Sequence, residues 1–336
     1  MKKLIDFRSG ANPLGPSNKA RNAIRRFVSH AGTFSPEHLN HLRGYVASRG
    51  GVDEACISFG CGSTAILNMV IELAQPKRIL IPYPLSQRYG AILKKHNLES
   101  RAVSLNADED FVPNIKEFCD AMKGCDAAVL PNPHDVAGSL ISPEDIVQVV
   151  DQADRLDILL IIDEAYIDYT GLISPLTRVV NSRRAMILRT FSTFHALGGL
   201  RLGYMIGPPG FVGLLEARLD PACINSFAPL AAIASMKDKG YRRRTLLFVE
   251  GEKVYLRERF SGIPAVKCHI GPSSIVVIKL QRKHENLQNI FRKYHILVDI
   301  FTDDGDNAYL RFPVQTHHLN AYFVRIIKKI AEADII

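Results

Sequence analysis

Short apolar runs alternate with helix-like stretches between residues 52 and 208, and this alternation constrains the fold more than any other feature. The runs are Ile79–Ile81, Ala127–Leu130, Ile158–Ile162, Ala185–Leu188 and Leu202–Ile206. Strands buried on both faces have this branched, apolar composition. Because helical stretches separate them, the pattern predicts an α/β fold with a mostly parallel sheet flanked by helices. Predicted helices include Ala65–Leu73 and Pro143–Ala153, the latter capped by Ser142.

The pattern changes after Asn225 and indicates a second, smaller unit. A long helical region spans Ala228–Arg259, and strands are predicted at Ser274–Leu280 and Tyr309–Phe312 before a terminal helix. We therefore predict a large ligand-binding domain over residues 35–225. Residues 1–34 and 226–336 are predicted to form a smaller α+β domain that includes the N-terminal segment.

Composition and charge limit the possible partners. The 336 residues carry a net charge of +8, but aromatic residues do not interleave with the basic clusters. We therefore expect a small anionic ligand and no nucleic acid. The apolar runs are too short to span a membrane, and no signal-peptide core follows the start, so a cytoplasmic location is expected. The six cysteines have no C-x-x-C pair, which predicts free thiols and no metal site.

Candidate ligand groups follow the predicted strands, where α/β proteins bind ligands. Gly60–Thr64 leads into a helix, and its Gly62, Ser63 and Thr64 could cradle a phosphate, although a purely structural turn is the alternative. Asp163 ends a buried run and requires a cation or hydrogen bonds, unless it only caps the next turn. Tyr166 follows it closely in sequence.

A third polar segment, Thr190–Tyr204, follows the next predicted strand and is rich in glycine. Its Ser192 and Arg201 could converge on phosphate oxygens, since arginine offers a rigid fork of donors. The alternative is a glycine-rich loop with a surface arginine.

Together these segments resemble a known family. Asn12–Pro16, Asp163–Tyr166, Thr190–Tyr204 and Tyr309–Arg311 are similar to motifs of fold-type I pyridoxal-phosphate enzymes. The similarity is to class I and II aminotransferases of the histidinol-phosphate aminotransferase and cobalamin-pathway threonine-phosphate decarboxylase kind. It extends from Asp6 to the terminal helix.

The resemblance implies a cofactor, a substrate and an assembly. The cofactor would be pyridoxal 5'-phosphate or pyridoxamine 5'-phosphate, in a large domain with a seven-stranded sheet. Its phosphate would lie among six residues: Gly62, Ser63, Thr64, Thr190, Ser192 and Arg201. Asp163 would hold the pyridine nitrogen, while Tyr166 and the residue at position 135 would contact the ring hydroxyl. Asn12 and Arg311 would bind a small anionic amino-acid-like substrate in a homodimer.

The sequence departs from the family at the site itself. The Schiff-base lysine is replaced by Thr193, which has no amine, so the cofactor would be held non-covalently. The asparagine beside the ring hydroxyl is replaced by Asp135, and a tyrosine that reaches the neighbouring subunit by Phe34. Asp299 stands where the family has a phosphate-binding arginine, which disfavours a phosphorylated amino acid. The stretch Pro82–Gln87 makes aromatic stacking on the ring doubtful.

Three hypotheses follow from these departures. In the first, a lysine-less enzyme uses Thr193, Tyr166 and His195 as its catalytic residues, with His195 as the base. For His195 itself, a satisfied loop histidine is the favoured alternative. In the second, the protein is a non-catalytic scaffold that binds an anion or a partner. In the third, Lys237 or Lys239 replaces the missing lysine. Standard transamination is expected to be weak or absent.

Overall fold

The N-terminal segment consists of one short strand and two helices. The structure, a computed structural model, describes residues 4–280, 286–302 and 307–333. Strand β1 (Ile5–Asp6) precedes helices α1 (Asn18–Phe27) and α2 (Pro36–Gly50). The Ser17 side chain accepts a hydrogen bond from the Ala20 amide and thereby fixes the start of α1.

A seven-stranded sheet forms the centre of the large domain, as predicted. Its strands are β2 (Ile57–Gly60), β3 (Arg78–Tyr83), β4 (Glu99–Ser104), β5 (Ala127–Pro131), β6 (Leu159–Asp163), β7 (Ala185–Thr190) and β8 (Gly203–Ile206). They lie in the order β2-β8-β7-β6-β5-β3-β4. Only β8 runs against its neighbours, so the sheet is mostly parallel. The five runs predicted as strands are confirmed.

Helices cover both faces of this sheet. They are α3 (Ser63–Ala74), α4 (Gln87–Lys95), α5 (Ile115–Ala121), α6 (Pro143–Leu156), α7 (Leu176–Val180) and α8 (Pro209–Glu216). Within β6, Leu160 and Ile162 pack into one apolar cluster, whereas Leu159 and Ile161 pack into the cluster on the opposite face. This alternation explains why the strand is apolar at every position.

The smaller α+β unit contains the remaining elements. They are α9 (Phe227–Met236), α10 (Lys239–Ser261), β9 (Val266–Ile270), β10 (Ile275–Leu280), α11 (Leu287–Lys293), β11 (Ile296–Leu297), β12 (Asp299–Thr302), β13 (Ala308–Pro313) and α12 (His317–Glu332). Four strands form an antiparallel sheet in the order β12-β13-β10-β9. Strand β1 pairs with β11 of this unit, whereas Ala20 of α1 and Leu42 of α2 pack into the apolar cluster that covers β2 and β8.

The region predicted as one helix over Ala228–Arg259 is instead two helices. Asp238 separates them, since its carboxylate accepts a hydrogen bond from the Tyr241 amide and starts α10 as a new helix. Helix α9 contributes Ala228, Ala231 and Ala232 to the apolar cluster that covers β2 and β8. Packing therefore places α9 with the large domain, although it follows the boundary predicted at residues 225–226.

All six cysteines are free thiols, as predicted. Among the described residues, no helix combines the length and apolarity needed to cross a bilayer. The same residues contain no cluster of three or more side chains able to hold a metal ion.

Candidate cofactor and substrate cleft

A cleft of about 460 Å³ lies at the carboxyl ends of β2, β5, β6 and β7. Parallel strands direct their following loops to the same edge of a sheet, which is why sequence segments far apart meet here. The cleft brings together most residues predicted for the site: Gly62, Ser63, Thr64, Asp135, Tyr166, Thr190, Ser192, Thr193, Arg201 and Arg311. The small unit closes the cleft with Asp299 and Arg311.

The first turn of α3 and the loop containing Arg201 form one end of the cleft. Gly62 has a φ of +95°, and a Cβ added there would lie 2.8 Å from Arg201 Nη2. A Cβ on Gly203 would lie 2.4 Å from the Ser63 amide nitrogen, so both glycines are needed for this close approach. The described hydrogen bond of the Arg201 guanidinium is a 3.5 Å contact to the Gly198 carbonyl. Backbone N–H groups of α3 and this arginine make an anion site.

Asp163 lies beneath the cleft at the end of β6 and is only 1% exposed. Its Oδ2 accepts hydrogen bonds from the Arg88 guanidinium, with which it forms an ion pair, and from the Tyr89 hydroxyl at 2.5 Å. Its Oδ1 accepts a hydrogen bond from the Ala165 amide at 3.1 Å. The cation that a buried carboxylate requires is therefore present in this chain.

Arg88 is the functional residue that sequence analysis missed. It lies in the first turn of α4, and its Nη1 donates to Ser63 Oγ at 3.3 Å. The pKa of its guanidinium is raised by Asp163, although burial acts in the opposite direction. The signal was available in the sequence, since Arg88 follows directly after the stretch Pro82–Gln87 that departs from the family.

Tyr166 and Arg311 form the opposite wall of the cleft. Arg311 Nη2 donates to the Tyr166 hydroxyl at 2.9 Å, and its Nη1 forms an ion pair with Asp299 at 3.2 Å. Burial raises the pKa of the Asp299 carboxyl, while Arg311 acts against that shift. Of the Arg311 nitrogens, Nε is buried and has no hydrogen-bond partner among the described residues. A substrate carboxylate would therefore have to compete with Asp299 for the Arg311 guanidinium.

Asp135 is the strongest sign of a missing partner in this cleft. The side chain is 5% exposed, and neither carboxylate oxygen has a hydrogen-bond partner among the described residues. A buried carboxylate without a donor is costly. This position favours a ligand that presents an N–H, an O–H or a cation.

Thr193 lines the cleft with a neutral side chain. The Thr193 hydroxyl donates a hydrogen bond to the Ala165 carbonyl, and the Thr193 backbone carbonyl accepts one from the backbone N–H of Asn12. The hydroxyl is thus directed at the strand-end loop after β6.

Asn12 does not line the cleft, and its predicted role in binding substrate stays a prediction. It is 3% exposed, and its Nδ2 lies within 2.9 Å of three acceptors: the Phe194 carbonyl, the Tyr241 hydroxyl and Thr245 Oγ1. Its Oδ1 accepts from the Leu14 amide. Because its amide is fully used, Asn12 joins the N-terminal segment to α10.

His195 lies outside the cleft and lines a separate cavity. Its Nδ1 is 2.8 Å from Ser235 Oγ and its Nε2 is 3.7 Å from Asp168. Burial lowers the pKa of this imidazole. These contacts favour a satisfied loop histidine, while its role as a base stays a prediction.

Comparison with known proteins gives the family. The family model for aminotransferase class I and II matches residues 2–327. This chain belongs to that family. The match covers both units of the structure and every residue of the cleft.

Individual relatives agree with this assignment. The histidinol-phosphate aminotransferase of Natronomonas pharaonis is 27% identical over 76% of this chain and 72% of the relative. The threonine-phosphate decarboxylase of Salmonella typhimurium is 24% identical over 99% of this chain and 93% of the relative. A crystal structure of histidinol-phosphate aminotransferase from Sinorhizobium meliloti, in complex with pyridoxal-5'-phosphate, has a TM-score of 0.90 at 16% identity. The superposition on this crystal structure covers 98% of this chain and 92% of the Sinorhizobium meliloti chain, and shows that the two share a fold.

Proposed function

We propose that the cleft binds pyridoxal phosphate or pyridoxamine phosphate non-covalently, together with a small anionic amino-acid-like substrate. We further propose that ordinary lysine-dependent transamination is weak or absent. The observation that carries this proposal is Thr193, which lines the cleft in the motif position where the family has its lysine. A hydroxyl cannot form the Schiff base or perform the lysine's proton transfers.

The residues fit the phosphate of such a cofactor. The Gly62 turn, which a Cβ would fill, places the α3 amides beside Arg201, and Ser192 lines the same cleft. The unpartnered Asp135 would accept a hydrogen bond from the protonated ring hydroxyl. When bound, the cofactor ring supplies an electron sink for bonds at the substrate's α-carbon. At the end of the cofactor ring that carries the nitrogen, Asp163 would be free to accept a hydrogen bond only if the Arg88 guanidinium moved away from it.

The charges on the opposite wall favour a carboxylate over a phosphate in the substrate. Arg311 supports binding of an anionic group, and Tyr166 would orient the ring hydroxyl. Asp299, however, places a negative charge next to Arg311. A dianionic phosphate would be repelled more strongly than a carboxylate. We therefore propose an unphosphorylated amino-acid-like substrate.

Absorption titration of the purified protein with each cofactor form tests the proposal. We expect spectral shifts that saturate with both forms, strongest for pyridoxamine phosphate, and no mass increase after borohydride. Covalent labelling of a single residue would show that another lysine has taken the place of the Schiff-base lysine. Lys237 is an unsuitable candidate, since its ammonium lies 5.0 Å from the centre of the Tyr45 ring, and neither it nor Lys239 lines the cleft.

The second candidate function is a non-catalytic scaffold. It is favoured by two internal ion pairs, Arg88 with Asp163 and Arg311 with Asp299, which neutralise these two arginines without any ligand. In that case neither cofactor form would change the spectrum or the thermal stability, whereas the proposed cofactor binding requires both to change.

We also propose that the protein is a cytoplasmic homodimer. The homodimer comes from the family resemblance. It is supported by Phe34, which is 49% exposed at the position where the family's tyrosine reaches the neighbouring subunit. Sedimentation equilibrium would measure the mass of the assembly, and a monomer at micromolar concentration would contradict this proposal.

A further inference from the structure

We propose that Arg88 is a built-in counter-ion that competes with a ring nitrogen for Asp163, and so sets which phosphate-bearing ligands the cleft accepts. The proposal rests on the proposed function in one respect, namely that a phosphate is held by the turn at Gly62. It makes Arg88 a specificity-determining residue rather than a catalytic one.

The hydrogen bonds of Asp163 show the competition directly. Oδ2 accepts from Arg88 and Tyr89, and Oδ1 accepts from the Ala165 amide. With the side chain 1% exposed, there is little room for an additional donor. A pyridinium N–H that bonds Asp163 must therefore displace a donor, and Arg88 is the only one of the three on a long, flexible side chain.

Arg88 is held at this position by several groups at once. Its Nη1 donates to Ser63 Oγ, and its guanidinium carbon lies 4.7 Å from the centre of the Tyr89 ring. Its side chain is 27% exposed and lines the cleft, so a path to solvent exists. Arginine remains charged at all physiological pH values, and deprotonation therefore offers no route to release.

Ser86, two residues before Arg88, also lines the cleft. Its hydroxyl is buried without a hydrogen-bond partner among the described residues. The chain therefore has a small side chain on this side of the cleft, within the stretch Pro82–Gln87 that departs from the family resemblance.

Separating a buried ion pair leaves an uncompensated charge. A ligand whose ring nitrogen needs Asp163 bears this cost, whereas a phosphate ester without that nitrogen does not. Arg88 should therefore weaken the binding of ring-nitrogen ligands to the wild-type cleft without abolishing it. Removing Arg88 should strengthen that binding while leaving the anion site in place.

The test compares two ligands of similar shape by isothermal titration calorimetry. Pyridoxamine phosphate has the ring nitrogen, and benzyl phosphate has a ring and a phosphate but no nitrogen. We expect Arg88→Met to shift the ratio of their dissociation constants towards pyridoxamine phosphate by about tenfold or more. Using the ratio cancels the loss of one positive charge near the phosphate. Arg183→Met, the same change at an exposed arginine outside the cleft, is the matched control and should leave the ratio unchanged.

Each outcome decides the proposal. If Arg88→Met does not fold, Arg88→Gln replaces it, and a smaller shift in the same direction supports the competition. An unchanged ratio, or one shifted towards benzyl phosphate, overturns it, because Arg88 would then assist ring binding. If both proteins bind benzyl phosphate but neither binds pyridoxamine phosphate, the Arg88 proposal fails and the phosphate site stands. If neither ligand binds any variant, the proposed function fails too.

Discussion

At the scale of single residues, the cleft is defined by what its side chains can donate and accept. Thr193 has a hydroxyl that is engaged with the Ala165 carbonyl. Asp135 brings two buried acceptor oxygens and no donor. Asp163, by contrast, is fully hydrogen-bonded within the chain. These three positions determine which groups of a ligand can be satisfied, because buried polar atoms without partners are costly.

Thr193→Lys should restore covalent cofactor attachment. Residue 193 lines the cleft, so an amine introduced there can reach a bound pyridoxal phosphate. We expect borohydride treatment to add the mass of about one cofactor per chain to this variant. Thr193→Met, which has similar length but no amine, is the control and should gain none. Tight but reversible binding by the lysine variant would place the cofactor's aldehyde away from residue 193.

At the scale of elements, a few side chains join segments that are distant in sequence. Asn12 links the N-terminal segment to the loop after β7 and to α10, because the two N–H groups of its Nδ2 lie within 2.9 Å of acceptors on Phe194, Tyr241 and Thr245. The loop that carries Thr193 is thereby held between the two units. Asn12 thus has a positional role in the cleft without contacting its contents.

Asn12→Ala should destabilise the fold. The change leaves buried acceptors without their donor, and we expect a loss of about 2–3 kcal/mol in the free energy of unfolding. Denaturant unfolding followed by circular dichroism would measure it. Asn289→Ala, on the exposed face of α11, should change stability by less than about 0.5 kcal/mol. Equal stabilities of the two variants would contradict this structural role.

At the scale of the whole molecule, two buried histidines couple folding to pH. Burial lowers the pKa of His134 and of His195. His134 is 1% exposed, and its Nδ1 accepts a hydrogen bond from the Ala137 amide at 3.1 Å, which protonation would break. The folded state therefore keeps His134 neutral, despite the opposing field of Asp135.

Acidification should reduce the stability of this protein below about pH 6.5. There the unfolded histidines bind protons that the folded ones do not, so the free energy of unfolding falls as pH decreases towards the folded pKa. His134→Asn keeps an acceptor for the Ala137 amide and should remove part of this slope, up to about 1.4 kcal/mol per pH unit. Urea unfolding between about pH 7 and pH 5 would measure it. The exposed His318→Asn is the control and should keep the wild-type slope.

The sequence by itself determined the positions of five buried strands of the large sheet and the turn at Gly62. It also predicted that Thr193 stands where the family has its lysine. Each of these depends on local sequence. A continuous apolar run indicates a buried strand, and the residues on either side of a position identify its place in a motif. The family's motifs also predicted which loops converge, since parallel strands end at one edge of the sheet.

Only the tertiary structure decided the partners of buried polar groups. Arg88 and Asp163 are 75 residues apart, and Asn12 and Thr245 are 233 apart. No periodicity encodes such pairs, because a side chain's partner depends on the elements that pack against it. His195 lies only two residues from Thr193 in sequence, yet packing places it in the cavity next to the cleft. The pairing of Arg88 with the buried Asp163 is therefore a property of the fold.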